Sequence, residues 1–337
     1  MSGGEDKWKE PAKGQAEALL NTDVAYGADR SAARTAASLA FGDSPNGLAI
    51  GPDGKFYGTS AALSVIEDDH KARAILNSEV HGTNGLVVLS PDSFLVGKGG
   101  QVLRLQADKN QTVLAGASGK PRELGEPVPA AAAAAEFHFS NYTPEVFGTR
   151  PDGTILIAEG DVLWQLNNGR LTRLYQVPRT TDAAGKTRLM HIGVGSAVDH
   201  SGTVYASASA ENENAGLSDV VAIHRDGSVG QLTFPKRVAG VQTDLAAFEV
   251  NWMTGDGGDG VYVRGADKAG EYVLHVASGE ATLVAKFPYE GPHAGCKEGY
   301  LVDAMKLPCR LPWAVTYSSG NLYLMGNSDF VLKIATK

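Results

Sequence analysis

The sequence predicts an all-β protein, a six-bladed β-propeller of four-stranded antiparallel blades closed by the N-terminal strand in the last blade. Three observations support this prediction. The 41 glycines are spread along the whole chain, which is typical of many short strands joined by turns. A phrase of strand, Pro-Asp-Gly-type turn and strand recurs along the chain. The 3.6-residue periodicity of amphipathic helices is almost absent outside an alanine-rich N-terminal region.

The recurring phrase marks the predicted blades. Its clearest copy is SPNGLAIGPDGKFYGTS at residues 44–60, and successive turns follow one another at intervals of 39 to 60 residues. Such intervals suit propeller blades with insertions. A single four-stranded sheet has two apolar faces, so stacking blades around an axis buries faces that a lone blade would expose. The predicted turn positions are Gly54, Ser93, Gly153, Gly202, Gly260 and Gly320.

Closure of the ring is predicted to join the two ends of the chain. The last unit holds only three strands before Lys337, so residues 16–22 are expected to supply its outer strand. The sequence accordingly predicts a flexible tether at residues 1–15 and a single propeller domain at residues 16–337.

Composition and motifs exclude several classes of function. The net charge is −8 and no run of Lys or Arg is present, whereas neutralising phosphates requires a basic face, so nucleic acid is not expected as a partner. No apolar stretch approaches the roughly 20 residues that span a bilayer. Serine-elbow, P-loop and dinucleotide-binding motifs are absent. The expected partner is a small molecule, a carbohydrate or a protein.

Cys296 and Cys309 are the only cysteines and lie thirteen positions apart. A disulfide between them would close a loop and stabilise the folded state by about 3 kcal/mol. Two reduced buried thiols are the alternative. The start MSGGEDKWKEP resembles the segment after the lipidated cysteine of bacterial lipoproteins; an ordinary disordered N-terminus is the alternative. A disulfide and a lipid anchor both predict an extracytoplasmic protein, secreted or held at the cell surface.

Candidate ligand-binding residues follow from the predicted blades. The innermost strand of each blade begins at the channel mouth, where side chains from different blades converge. Positions seven to nine residues before five of the turns are therefore candidates: Asn46, Asn84, Glu145, Asn251 and Trp313. In the fourth unit the candidate is His191 or a neighbour, a choice left open by two residues, and Glu249 lies two residues before Asn251. Asn-Gly is equally a turn signal, and Trp313 is equally suited to a core or rim position. Further candidates are the insertions at residues 117–136, 178–190, 210–218 and 288–310.

Residues 112–166 resemble the bacterial NHL-repeat phrase. An outer strand ending in Ala-Gly leads through a Gly-rich loop to spaced alanines, a hydrophobic residue, Pro and a Pro-Asp-Gly hairpin. The sixth unit repeats this order, and the first unit does so more loosely. The resemblance implies a propeller but selects no activity, because its relatives include enzymes, binding proteins and scaffolds. The alanine run at residues 129–135 is interpreted as one helical turn on the propeller surface.

SPNGLAIGPDGKFY also resembles the strand start of the senescence-marker/gluconolactonase propellers. In that family this asparagine helps to bind a divalent cation, with a glutamate and an aspartate from other blades. The resemblance implies that Asn46, Asn84 and Glu145 would hold a cation such as calcium, although no unit opens with the family's Asp-Gly strand start. Two functions follow: a non-catalytic propeller that binds a ligand or protein at the channel mouth, or a divalent-metal-dependent lactonase-type hydrolase or lyase.

Overall fold

The computed structural model describes residues 8–21, 46–60, 62–181, 187–193, 195–210, 213–288, 295–310, 312–326 and 330–337. Short strands form nearly all the regular structure of these residues. In chain order they are β1 (Gln15–Asn21), β2 (Gly47–Ile50), β3 (Phe56–Thr59), β4 (Leu63–Ile66), β5 (Ala72–Leu76), β6 (Thr83–Ser90), β7 (Ser93–Lys98), β8 (Gln101–Gln106), β9 (Gln111–Ala115), β10 (Ala131–Ala133), β11 (Glu145–Thr149), β12 (Ile155–Glu159), β13 (Val162–Asn167), β14 (Arg170–Gln176), β15 (Thr180–Thr181), β16 (Thr187–Arg188), β17 (Met190–Ile192), β18 (Ala197–Val198), β19 (Val204–Ala210), β20 (Val220–Ile223), β21 (Val229–Gln231), β22 (Glu249–Gly255), β23 (Gly260–Asp267), β24 (Gly270–Ala277), β25 (Glu280–Phe287), β26 (Leu301–Asp303), β27 (Ala314–Ser318), β28 (Asn321–Gly326) and β29 (Phe330–Ala335).

Helical structure in the described ranges consists of short 3₁₀ turns, among them Ser78–Val80, Leu217–Asp219, Leu245–Ala247 and Ala304–Lys306. Within the part of the chain that the structure describes, no helix is long and apolar enough to cross a membrane. The predicted all-β class is therefore confirmed.

Consecutive strands pair antiparallel to form small sheets. They are β2–β5, β6–β9, β11–β14, β18–β21 with β17, β22–β25, and β27–β29 with β1 and β26. A parallel bridge between Gly85 and Val146 also joins β6 to β11. The first strand of each sheet contacts the first strand of the next, and β27 of the last sheet contacts β2 of the first. The arrangement is propeller-like, as predicted, while the number of blades and their assignment as NHL repeats stay predictions.

Apolar side chains pack between neighbouring sheets. Each buried cluster combines residues from two sheets, as where Tyr57 of β3 lies 5.9 Å from Phe94 of β7, measured between ring centroids. A meander of short strands has two apolar faces and cannot cover both itself, so contact with a sheet on either side supplies the missing cover. The core is thus distributed around the molecule, which leaves the first strands of the sheets free to line a central space.

Strand β1 joins the two ends of the chain, which confirms the predicted pairing. It runs antiparallel to β29, with Ala16 opposite Ile334 and Asn21 opposite Phe330. On its other edge it pairs with β26. Since Ala16, Ala18 and Leu20 are buried, this strand contributes to the core as well as to the hydrogen bonding of the last sheet.

Residues 8–14, which belong to the predicted tether at residues 1–15, contact the domain. The Trp8 ring stacks on His70 with 3.7 Å between centroids, and its backbone N–H donates to Gly299 O at 2.9 Å. Glu10 pairs with Lys333 at 2.7 Å. These contacts connect the N-terminal segment to both the first and the last sheets. The lipid-anchor hypothesis concerns residues 1–7, which lie outside the described residues.

The alanine run forms a strand, so the predicted helical turn is wrong. Strand β10 pairs antiparallel with β14, with Ala132 opposite Leu171. Hydrogen bonds from Arg173 N to Ala130 O and from Ala134 N to Gly169 O extend the pairing at both ends. The outer edge of β14 would otherwise leave backbone donors and acceptors unpaired, and satisfying them outweighs the helix propensity of alanine.

The predicted disulfide between Cys296 and Cys309 is present. The two Cα atoms lie 5.5 Å apart and both residues are buried. The bridge closes the segment that contains β26, and Asn21 Nδ2 of β1 donates to Cys296 O at 2.6 Å. The disulfide therefore fixes the segment that covers the outer edge of β1.

Removing this disulfide is expected to lower the free energy of unfolding by about 3 kcal/mol, because the open loop has more conformational freedom in the unfolded chain. Thermal unfolding followed by circular dichroism would compare the wild type with a Cys296→Ser, Cys309→Ser double variant. Reductant should lower the Tm of the wild type and leave that of the variant unchanged. Equal Tm values for the two proteins without reductant would contradict the prediction.

Candidate ligand site at the channel mouth

A cavity of about 590 Å³ lies where several of the first strands begin. We call it the channel-mouth cavity. Most of the sequence-predicted residues line it: Asn46, Asn84, Glu145, His191, Asn251 and Trp313. The remaining one, Glu249, stands behind this lining, and its Oε1 accepts a hydrogen bond from Asn251 Nδ2 at 3.2 Å. The structure thus brings together residues separated by more than 260 positions in sequence.

The two Asn-Gly steps hold first strands close together. Asn46 O accepts a hydrogen bond from Gly85 N at 2.8 Å, which links the first sheet to the second. A Cβ atom on Gly47 would lie 2.5 Å from Gly85 C, and one on Gly85 would lie 2.2 Å from Val146 O. Glycine is therefore required by the close approach of the strands. The asparagine before each glycine is carried to the cavity by this packing.

Glu145 places a carboxyl group between the two ends of the central space. It lines both the channel-mouth cavity and a second cavity of about 570 Å³, the opposite cavity, which is bounded by the far ends of first strands, including Thr149, Thr254 and Ser318. The side chain is buried, and Gly195 N–H donates to its Oε1 at 2.9 Å and its Oε2 at 3.2 Å. Burial raises the pKa of Glu145 to about 7, against the opposing effect of the Gly195 hydrogen bond.

Gly195 is a site residue that the sequence did not reveal. It lies between β17 and β18, two short strands that pair with different halves of β19. Its φ of +77° turns the backbone so that its N–H reaches Glu145. A Cβ atom here would lie 2.6 Å from the Trp252 ring, so only glycine fits. The interruption of the strand also accounts for the uncertain register around His191 in the sequence.

Replacing Glu145 with Gln is expected to stabilise the protein at pH 8 by up to about 3 kcal/mol and to have little effect near pH 4.5. The pKa of Glu145 is about 7 in the folded state against an ordinary 4.5, so the folded state binds the proton more tightly. The stability that this proton contributes is complete below pH 4.5 and is lost as the pH rises through 7. Glutamine imitates the protonated form and keeps the acceptor for Gly195 N–H.

Denaturant unfolding at intervals between pH 4.5 and 8 would measure the difference between wild type and Glu145→Gln. Glu136→Gln, at an exposed carboxylate, is the matched control and should show no growth of the difference with pH. A constant difference between Glu145→Gln and the wild type would contradict the assigned environment of Glu145.

Arg264 organises the side of the cavity formed by the last two sheets. This guanidinium is only 4% exposed, and it donates from Nη1 to Asn251 Oδ1 and from Nη2 to Glu271 Oε1 at 3.2 Å. Its Nε donates to Pro312 O at 3.3 Å, and its Cζ lies 5.6 Å from the centroid of the Trp313 ring. One buried cation therefore fixes both Asn251 and Trp313, in the geometry of a cation–π contact for the latter.

Aromatic rings form the rim of the cavity. Trp313 is 47% exposed and Tyr142 is 37% exposed, which is unusual for side chains of this size. Tyr142 stacks on His191 with 5.9 Å between centroids, and Trp252 also lines the cavity. The sequence did not predict Tyr142 and Trp252 as site residues, although each lies within three residues of a predicted one.

The channel-mouth residues do not fit a divalent cation. Glu145 is the one carboxylate of the implied set, and both its oxygens already accept a hydrogen bond from Gly195. The Asn84 amide donates from Nδ2 to Thr143 O at 3.3 Å. Among the residues that the structure describes, no group of three His, Cys, Asp or Glu side chains is arranged to hold a metal. Calcium prefers six to eight oxygen ligands with several carboxylates, and this donor set offers too little charge.

Searches for relatives found similarity in structure only. No family model matches the sequence, and no curated protein sequence matches it either. A gluconolactonase from Xanthomonas campestris aligns with a TM-score of 0.51 and 13% identity over 89% of this chain and 88% of that chain. A candidate gluconolactonase aligns with a TM-score of 0.53 and 12% identity over 98% and 94% of the two chains.

Regucalcin from Agrobacterium tumefaciens, a calcium-binding protein, aligns with a TM-score of 0.50 and 8% identity over 87% of this chain and 90% of that chain. The chain has a gluconolactonase-like and regucalcin-like fold. At these identities the similarity concerns the fold alone, and fold does not determine function. This structural similarity agrees with the resemblance of SPNGLAIGPDGKFY to the senescence-marker/gluconolactonase propellers.

Proposed function

We propose that this chain is a six-bladed, NHL-like β-propeller that works outside the cytoplasm and binds a small ligand in the channel-mouth cavity. Contacts between successive first strands, with β27 returning to β2, support six blades. The disulfide supports an oxidising compartment, because such bonds persist mainly outside the cytoplasm. Attachment of the native N-terminus to a lipid, through the segment that precedes the domain, is part of the same proposal.

The proposed ligand is a neutral, polyhydroxylated ring such as a saccharide. The observation that carries this proposal is the combination of the half-exposed Trp313 ring with the amides of Asn46, Asn84 and Asn251 around one cavity. A carboxamide donates and accepts hydrogen bonds at once, as a sugar hydroxyl group requires. An aromatic face offers rigid apolar area to the C–H face of a sugar ring. The cavity volume of about 590 Å³ is within the range of small-molecule sites.

Binding of neutral mono- and oligosaccharides, measured by isothermal titration calorimetry, tests this function. A ligand from the panel should bind the wild type and lose at least about tenfold in affinity to Trp313→Ala, as expected for an aromatic anchor. Tyr317→Ala, which removes an aromatic ring from the opposite cavity, is the matched control and should bind normally. No binding across the panel, or equal binding by Trp313→Ala, would contradict the proposal.

Lactone hydrolysis is the second candidate, favoured by one observation. Glu145 is a buried carboxyl group in the cavity with a pKa of about 7, which suits proton transfer near neutral pH. Acid release from glucono-lactone, followed with and without calcium, would reveal such an activity, and Glu145→Gln should abolish it. A Tm lowered by EDTA and restored by calcium would support the metal-dependent form. No turnover and no effect of EDTA would exclude both forms.

A further inference from the structure

A second site is suggested by a groove at the end of the molecule opposite the channel mouth. Its volume is about 680 Å³, and it lies between the turns of the β11–β14 sheet and the turn after β20. Arg150 lines both this groove and the opposite cavity. We call it the arginine groove after the residues that share it: Arg150, Arg170, Arg173 and Arg225.

The charge of the arginine groove is unusual for this chain, which has a net charge of −8. None of the four groove arginines forms an ion pair with a residue that the structure describes. Two carboxylates, Asp152 and Asp226, also line it. Both are engaged locally, since Asp152 Oδ1 accepts from Thr154 N at 3.0 Å and Asp226 Oδ1 accepts from Ser228 N at 2.9 Å. Four arginines against two aspartates leave the groove positive.

Arg150 and Arg225 converge on one point. A Cβ atom placed on Gly202 would lie 3.7 Å from Arg150 Nε and 3.8 Å from Arg225 Cδ. Arg150 donates from Nη1 to Gln165 Oε1 at 2.6 Å and from Nη2 to Gly202 O at 3.4 Å, whereas its Nε is buried without a hydrogen-bond partner. Burial lowers the pKa of Arg150, the charge of Asp152 opposes this effect, and the charge of Arg225 lowers the pKa further.

An anionic group between these two guanidinium groups would offset their repulsion. Planar guanidinium groups suit the paired oxygens of carboxylate, sulfate and phosphate. Arg170 stands further along the same groove, so it would meet an additional charge of a longer ligand, whereas Arg173 Nη1 donates to Val128 O at 2.9 Å.

The other lining residues indicate what carries the anions. Amide and hydroxyl side chains stand between the arginines: Thr154, Gln165, Asn167, Asn168 and Thr172. Insertion into a membrane would require exposed apolar side chains. None of the large exposed apolar side chains among the described residues lines the groove. We propose that the arginine groove binds an anionic oligosaccharide, with arginines on its carboxylate or sulfate groups and amides on its hydroxyl groups. This site is independent of the proposed channel-mouth function.

Calorimetric titration of the full chain with tetragalacturonic acid, a carboxylated oligosaccharide, tests the inference. An Arg170→Gln, Arg225→Gln double variant removes two exposed groove charges, and Arg237→Gln, at an exposed arginine outside the groove, is the matched control. The wild type should bind with an affinity that falls as salt concentration rises. The double variant should bind at least about tenfold more weakly, since each charged hydrogen bond lost typically costs that much or more. The control should bind as the wild type does.

Three outcomes would overturn the inference. The wild type fails to bind, Arg237→Gln weakens binding as much as the double variant, or the double variant binds tetragalacturonic acid normally while losing binding to phosphatidylglycerol vesicles. The last result would assign the arginine groove to a lipid surface. Unchanged Tm values for all variants would show that any loss of binding is not a loss of folding.

Discussion

Deletion of residues 1–21 is expected to destabilise the protein by about 5 kcal/mol or more, a large part of the 5–15 kcal/mol that stabilises a typical domain. The deletion removes β1, whose Leu19 and Leu20 are buried and would each account for about 1.5–3 kcal/mol. It also exposes the edges of β29 and β26, which pair with β1 on its two sides. The loss therefore combines apolar burial with the closure of the last sheet.

Urea unfolding of the full chain and two truncated chains would measure this effect. Deletion of residues 1–7 is the matched control, because every described contact of β1 remains, and its free energy of unfolding should stay close to that of the full chain. A synthetic peptide of residues 8–21 should restore stability to the longer deletion in trans. A fully stable protein without β1 would show that the ends of the chain do not close the fold.

Replacing Arg264 with Met is expected to cost about 3–5 kcal/mol, because it leaves the largely buried Glu271 carboxylate without its partner. Arg264 is 4% exposed and contacts Glu271, Asn251 and Pro312 from one guanidinium group. The same substitution frees Asn251 and removes the cation from the Trp313 ring, so ligand affinity at the channel mouth should fall as well. If the proposed function is correct, both stability and binding are expected to depend on this one buried side chain.

A double-mutant cycle separates these contributions. Adding Glu271→Gln to Arg264→Met should recover part of the stability, since the unpaired charge is gone, without restoring ligand affinity. Arg237→Met, at an exposed arginine, should change stability by less than about 0.5 kcal/mol. Equal stability of Arg264→Met and wild type in chemical denaturation would show that the buried pair does not hold this side of the site.

Local sequence signals predicted the elements that repeat. Asp-Gly turns predicted the hairpins, and the incomplete last unit predicted that a strand near residues 16–22 would pair with it, as β1 does. Counting back from the turns placed Asn46, Asn84, Asn251 and Trp313 at one cavity, because strand and turn lengths vary little between units. The turns and the positions counted back from them depend on spacing within about twenty residues, whereas the closing strand follows from the missing fourth strand of the last unit.

The sequence could not predict contacts that depend on packing between sheets. The sequence pattern around Arg264 is that of an exposed position in an alternating strand. Only the packing of the neighbouring sheet brings Pro312 and Trp313 into contact with it. Gly195 reaches Glu145 because β17 and β18 are separate. Gly193 and Gly195 mark a break in the strand, but they do not indicate which side chain the freed N–H contacts. The alanine strand β10 likewise exists because β14 offers it a free edge.

The most direct test of the channel-mouth site is a crystal structure of the protein with the saccharide that binds it most tightly. The proposed function predicts a sugar ring stacked on Trp313, with hydroxyl groups bonded to the amides of Asn251 and Asn84. A saccharide bound elsewhere, with the channel-mouth cavity occupied only by solvent, would contradict it.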